Sequence, residues 1–315
     1  MRYIDIPGTD LHVSALCLGT VEFGTRLVGD AADRLVTAFL DAGGNFLDTA
    51  HCYAFWMENG LGASERGLGA CLTRLGVWDR VVVGTKGGHP EVPPDYPRPD
   101  FFLAPDVLEA DINESLDRLG VGYVPLYYLH RDDGRVPVSE IIDALNVAVA
   151  DGRIGYLGAS NWTVARIAEA NEYAASKGLR GFAISQSQWS LAVPDWPMGE
   201  DPCMRYVTDE DAVEYARLGV PVLAYTSTAA GYFAREPEDG GSFGSPANRA
   251  RHERVRDLAG RLDCSPSQVV LAWLMHHKPL TIPIVGTTKP DHLRDAMGAI
   301  DVTLTEEQVR WLREG

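Results

Sequence analysis

The stretch Asp48-Thr49-Ala50-His51-Cys52-Tyr53 sets a carboxylate, an imidazole, a thiol and a phenol directly after an apolar run, Asn45-Phe46-Leu47, that reads as a β-strand. Two later strand-like runs end in further reactive groups, Gly84-Thr85-Lys86 and Tyr128-Leu129-His130-Arg131. If these strands are neighbours in a parallel sheet, Asp48, Tyr53, Lys86 and His130 converge on one mouth. The chemistry of such a set is proton transfer at a carbonyl oxygen. A phenol titrates near ~10 and gives up its proton too reluctantly at neutral pH, so a nearby ammonium is needed to stabilise the phenolate. Lys86 would be that ammonium and Asp48 would keep it charged by pairing with it. His130 would donate to the same oxygen and steady the developing negative charge. Taken singly, a strand-end Lys or His is ordinarily a satisfied polar residue; four complementary groups on adjacent strands are a much stronger signal.

The elements that must position these groups are legible from periodicity. Short apolar runs occur at Leu16-Cys17-Leu18, Phe46-Leu47, Val81-Val82-Val83, Val124 to Leu129, Ile154 to Leu157, Phe182-Ala183-Ile184, Val220 to Ala224 and Thr281 to Val285. Between them the apolar spacing is helical, with Leu35, Phe39 and Ala42 on one face, Leu108, Ile112, Leu116 and Leu119 on another, and Ile141, Leu145 and Val149 on a third. Eight such βα units predict a closed (β/α)8 TIM barrel, and the chain from 1 to 315 reads as one domain. Asp30, Pro105, Gly120, Gly152 and Gly178 punctuate the helix ends. Ahead of the barrel, Arg2 to Ile6 and Leu11 to Val13 flank Pro7-Gly8-Thr9-Asp10, a predicted hairpin closing the barrel floor. Residues 265 to 277 read as an additional helix near the C-terminus. The longest connections, 53–60, 87–104, 190–207 and 227–246, all follow strands, which places them on the face where such barrels carry chemistry.

Composition narrows the function. A formal net charge of -16 repels nucleic acid and anionic membrane surfaces, so any anionic ligand needs a local basic pocket. The cysteines at 17, 52, 71, 203 and 264 are odd in number, scattered and without a Cys-x-x-Cys pair, which predicts neither a disulfide framework nor a metal site. No stretch has the length of a membrane span or a secretory signal, and a cytoplasmic protein is expected. Gly60-Leu61-Gly62 and Gly67-Leu68-Gly69 both fail the dinucleotide fingerprint Gly-x-Gly-x-x-Gly, and Gly158-Ala159-Ser160-Asn161-Trp162 lacks the second glycine of a hydrolase elbow.

The set Leu18-Gly19-Thr20, Phe46-Leu47-Asp48-Thr49-Ala50, Gly84-Thr85-Lys86, Leu129-His130, Gly158-Ala159-Ser160-Asn161 and Pro283-Ile284-Val285-Gly286-Thr287 resembles the aldo-keto reductase family over nearly the whole chain. The resemblance implies reversible hydride transfer between a nicotinamide cofactor and an aldehyde, ketone or alcohol, with Asp48, Tyr53, Lys86 and His130 as the catalytic tetrad and Tyr53 as the proton donor in reduction. It further implies that Ser160, Asn161 and Gln186 hold the nicotinamide amide, that the ring stacks on Tyr225, and that Gly19 and Thr20 lie on the cofactor side. Thr226, Ser227, Thr228 and Gly231 stand where relatives wrap the pyrophosphate, although the usual Ser-Pro-Leu is absent. Gly286, Thr287, Thr288, Lys289, His292 and Asp295 open a helix near Pro290, and its N-terminal amides with Lys289 form the local basic pocket for an adenosine phosphate. NADP(H) is the expected cofactor, with NAD(H) as the other option because Thr288 is uncharged.

Around the mouth, Phe23, Phe55, Trp56, Trp162, Trp189, Trp196, Tyr232 and Phe233 mix with Glu22, His51, Asp132 and Asp133. Phe23, Trp56, Arg131, Asp132 and Trp189 are the expected substrate contacts. Aromatic faces beside carboxylates suit polyhydroxylated ligands, so a sugar or sugar-derived carbonyl is the leading expectation. Cys52 beside the proton donor reads as a packing cysteine, with a reactive thiol as the alternative if the sulfur points inward and Lys86 lowers its pKa. The competing reading is a nucleotide-binding regulatory subunit of the same fold that acts through a protein partner.

Overall fold

A computed structural model describes residues 1–195, 203–236 and 241–315. The chain opens with an antiparallel pair, β1 (Tyr3–Asp5) and β2 (His12–Ser14), registered Tyr3 to Ser14 and Asp5 to His12. Ser14 joins this hairpin to the barrel floor, because its N–H donates to Asn45 Oδ1 and its hydroxyl accepts from the N–H of Asn45, just before the second barrel strand.

The barrel strands are β3 (Cys17–Gly19), β4 (Phe46–Asp48), β5 (Val82–Gly87), β6 (Val124–Leu129), β7 (Ile154–Ser160), β8 (Phe182–Gln188), β9 (Val222–Tyr225) and β10 (Thr281–Gly286). They pair in sequence order and in parallel, and β10 closes the ring by pairing with both β9 and β3. Helices α1 (Asp30–Asp41), α2 (Ala63–Leu75), α3 (Pro105–Leu119), α4 (Val138–Ala150), α5 (Val164–Lys177) and α6 (Asp209–Leu218) each follow one strand. Two more, α7 (Pro246–Leu262) and α8 (Pro266–His276), lie between β9 and β10, and α9 (Pro290–Met297) and α10 (Glu306–Glu314) complete the chain. The expected barrel, hairpin and extra C-terminal helices are all present.

Local chemistry explains the boundaries. Gly120 and Gly178 end α3 and α5 at φ +73° and +67°, the left-handed conformation that costs glycine nothing. Ser265 and Gln268 form a reciprocal capping box at the start of α8, with Pro266 filling the first turn. Asp30 sits inside the first turn of α1 and not at its cap, which Gly29 occupies.

Leu18, Leu47, Leu126, Leu157, Leu223 and Ile282 are fully buried on six of the eight barrel strands. Truncating one such side chain to alanine costs about 2–5 kcal/mol, so the strand ends rest on a stiff base. Tyr128 fills the barrel beside Lys86, its register partner. Its ring needs the bare backbones on either side: a Cβ at Gly84 would stand 2.9 Å from the ring and one at Gly158 would overlap it. No helix among the described residues is long and apolar enough to cross a membrane.

Candidate active site

The four residues of the expected tetrad meet at the carboxyl ends of β4, β5 and β6. Backbone bonds continue past the strand ends and fix them: His51 N–H donates to Lys86 O at 2.8 Å, and His130 N–H to Gly87 O at 2.7 Å. Lys86 is wholly buried and donates to Asp48 Oδ2 at 2.7 Å, to the Thr49 carbonyl at 2.6 Å and to the Tyr53 hydroxyl at 2.9 Å. Those three acceptors use all three ammonium protons, so Lys86 has one orientation. Gln186 on β8 reaches across the barrel and donates to Asp48 Oδ1 at 2.8 Å, which holds the carboxylate from its other side. The Tyr53 oxygen accepts from Lys86, which leaves the phenolic proton for another acceptor. The His130 ring meets Tyr53 edge to face, with centroids 5.8 Å apart.

Burial sets the electrostatics. It opposes the charge on Lys86, but Asp48 and the Tyr53 oxygen outweigh it and the ammonium is held above its ordinary value. Burial lifts Asp48 above the usual carboxylate range, with Lys86 and Gln186 pulling it back. Burial also pushes Tyr53 up to about 12 against the pull of Lys86. The expected net lowering of the phenol is not found: desolvation of the phenolate outweighs the pull of Lys86, and Asp48 adds to the rise. Burial, then Arg131 and His89, drive His130 well below the ordinary imidazole value, so it is neutral. Cys52 is likewise not activated; burial pushes its thiol up to about 12.

Tyr53 and His130 form the base of a cavity of about 660 Å³ lined also by Cys52, Phe55, Trp56, His89, Pro90, Glu91, Val92, Pro93, Arg131 and Cys203. Trp56, 55% exposed, and Arg131 line this cavity. The other substrate expectations are corrected. Phe23 is completely buried in the core beneath the β3–α1 connection, and Trp189, equally buried, turns away from the mouth to pack edge-on against Trp273 of α8 and His277. Asp132 is tied to Arg166 at 2.9 Å and does not line the cavity, and Asp133 is tied to Arg135 at 2.8 Å. His51 also points away, into Tyr96 and Glu114 at 3.0 and 2.8 Å. Trp196 lies outside the described residues. The sequence reading did not name His89, Pro90, Val92 or Pro93; their signal was the length of the connection after β5 and an imidazole three positions past Lys86.

On the cofactor side, Ser160, Asn161 and Gln186 cluster at the ends of β7 and β8. Asn161, at φ +61°, donates to Ser160 Oγ and to the His130 carbonyl, and its Oδ1 accepts the Tyr225 hydroxyl at 2.6 Å. Thr226, Ala229, Ala230 and Gly231 all have positive φ, so the chain after β9 coils into left-handed turns, in which the Ala229 and Gly231 N–H groups are held by Thr226 O and Thr228 O at 2.8 and 3.0 Å. Gly19, Gly286, Thr287, Thr288, Lys289 and His292 line a separate hollow of about 300 Å³, with Arg26 opposite. These residues fit a dinucleotide: a polar clamp at the mouth, and a hollow beside β10 that holds Arg26 and Lys289. Thr20, Ser227 and Asp295 are corrected. The hydroxyl of buried Thr20 donates to Asp48 O at 2.8 Å, and that of buried Ser227 to Ile284 O at 2.6 Å. Asp295 accepts from Ser265 at 2.9 Å and anchors the start of α8.

Fold and site together define a barrel enzyme whose chemistry lies at the carboxyl ends of its strands. The family model for the aldo/keto reductase family matches residues 15–314, and the chain belongs to that family. It is similar to the oxidoreductase YrpG of Bacillus subtilis, 30% identical over 325 aligned positions that cover 100% of this chain and 95% of the relative. Norsolorinic acid reductase B of Aspergillus parasiticus is 30% identical, covering 96% of this chain and 81% of its own length. The aryl-alcohol dehydrogenase [NADP(+)] of Phanerodontia chrysosporium is 26% identical, covering 98% and 84%. The protein is an oxidoreductase of a family that works with nicotinamide cofactors.

Proposed function

We propose that this oxidoreductase interconverts aromatic aldehydes or ketones and their alcohols with NADP(H), using Tyr53 as the general acid in reduction and as the general base in oxidation. The observation that carries the reading is the Lys86 bond to the Tyr53 oxygen, 2.9 Å, at the base of a cavity walled by Phe55, Trp56 and Val92. The nicotinamide supplies or accepts the hydride when bound. Tyr53 hands its proton to the carbonyl oxygen, and Lys86 stabilises the phenolate left behind. Asp48 and Gln186 hold Lys86 in place, and neutral His130 donates to the same carbonyl oxygen and fixes its direction.

The sugar expectation rested on carboxylates at the mouth. Asp132 and Asp133 are engaged by arginines, Glu91 is the one carboxylate among the lining residues, and Phe55, Trp56, Pro90, Val92 and Pro93 give the walls a largely apolar face that suits a planar substrate. The names of the relatives point the same way, since one is an aryl-alcohol dehydrogenase. NADP(H) is favoured because Lys289 and Arg26 line the same hollow, where Lys289 is exposed and Arg26 is shared with Glu22 at 3.4 Å. The test is oxidation of NADPH and NADH with substituted benzaldehydes beside aldoses and keto-sugars. Faster turnover of the aldoses overturns the substrate class, and a preference for NADH overturns the cofactor choice. Loss of turnover in Tyr53→Phe with nucleotide binding retained is expected; an aldehyde-inert wild-type chain that still binds nucleotide would favour the regulatory-subunit reading.

A further inference from the structure

His130 can serve as donor to a carbonyl oxygen only in the tautomer that carries its proton on the nitrogen facing the cavity. In metal-free active sites that choice is set by whatever the other nitrogen bonds to, most often a carboxylate or a backbone carbonyl. Here the Nδ1 atom meets neither. Its partner is the thiol of Cys52, at 3.3 Å, with that residue 2% exposed and the ring enclosed by His89 and Tyr53.

We infer that Cys52 is a positioning residue: its S–H donates to His130 Nδ1, which leaves the proton on Nε2 and aims that N–H at the substrate oxygen. An aromatic nitrogen lone pair is a much better acceptor than a thiol sulfur, so S–H···N is favoured over N–H···S. The sulfur keeps its proton because burial pushes the thiol up to about 12, and the ring stays neutral because burial and the cations beside it prevent a second proton. With neither group charged, the contact is a neutral hydrogen bond of fixed sense. The same burial makes Cys52 a poor nucleophile despite its place on the cavity wall. The inference rests on the proposed role of His130 as donor, but its central claim concerns the resting protein.

The experiment is nitrogen-15 NMR of the His130 ring in the full-length, ligand-free protein, assigned by loss of its signals in His130→Gln. The wild type is expected to show Nε2 protonated and Nδ1 bare; a bare Nε2 in the wild type overturns the inference outright. Cys52→Ser, which keeps a hydroxyl donor, is expected to preserve that tautomer and to hold kcat/KM near the wild-type value. Cys52→Ala is expected to give a mixture of tautomers and roughly a tenfold fall in kcat, less than the loss seen when an oxyanion donor is removed altogether. If Cys52→Ala retains the pure Nε2–H form, the thiol does not set it. A wild-type Nε2–H signal together with absence of carbonyl reduction would refute the proposed function and leave the tautomer assignment standing.

Discussion

The two halves of the mouth are built on opposite principles. On the β4–β5–β6 side, Lys86 is fully buried, each of its protons has an acceptor, and Asp48 is gripped from two directions. On the β10 side, Thr288, Lys289 and His292 are exposed at the start of α9, and the local side-chain bonds are a weak Thr287–Lys289 turn and an exposed Arg294–Asp291 pair. The first region is rigid before any ligand arrives, as acid–base chemistry demands. The second carries its charges at the surface. Exposed charges of that kind contribute modestly and are readily exchanged in evolution, whereas a buried pair cannot lose one member cheaply.

The contrast can be broken most severely at Lys86. Lys86→Met should lower kcat for carbonyl reduction by roughly 10²–10⁴-fold, the usual range for loss of general acid–base assistance. Nucleotide affinity measured by tryptophan fluorescence should be unchanged; a comparable loss of affinity would mean that the two halves are one unit. Asp48→Asn leaves a buried ammonium without its anion and should destabilise the fold by about 3–5 kcal/mol. Thermal denaturation reads this directly, and a melting temperature equal to the wild type would show that the pair is not structurally coupled.

A smaller effect is expected with pH. Burial depresses the pKa of His130 in the folded chain, while the unfolded chain takes up a proton near ~6.5. Below that pH the unfolded state binds more protons, so stability should fall as pH drops from about 6.5, and His130→Gln should flatten that slope. The kcat/KM profile for reduction should carry no inflection near the ordinary histidine value. The smallest effect belongs to the rim: Lys289→Ala should raise KM for NADPH by roughly two- to fivefold and leave NADH little changed, the scale of an exposed ion pair. Equal changes for both nucleotides would place Lys289 away from the distinguishing phosphate.

The same contrast governs what could be read before the fold was known. The strands and Asp48, Lys86 and His130 were legible because a parallel barrel aligns strand ends, so the residue that closes each apolar run is automatically at the mouth. Tyr53 followed from its short distance beyond β4. Trp189 was misread because its direction is decided by Trp273 on α8, a helix inserted much later in the chain. Phe23 was misread for a similar reason, since its loop folds down onto α2, where a Cβ on Gly67 would stand 2.9 Å from the Phe23 carbonyl carbon. Asp132 was given to the substrate because sequence does not reveal that Arg166 reaches it first. Thr20, Ser227 and Asp295 show the same limit for hydroxyls and carboxylates that stitch the scaffold together.

Asn161 touches both territories: one end of its amide holds the backbone carbonyl of His130 and the other the phenol of Tyr225. A coenzyme that shifts this side chain alters the seat of the aldehyde's orienting group. By thermodynamic reciprocity, any preference the loaded enzyme acquires for its organic partner must reappear, by the same factor, as slower escape or faster capture of the dinucleotide when that partner is bound.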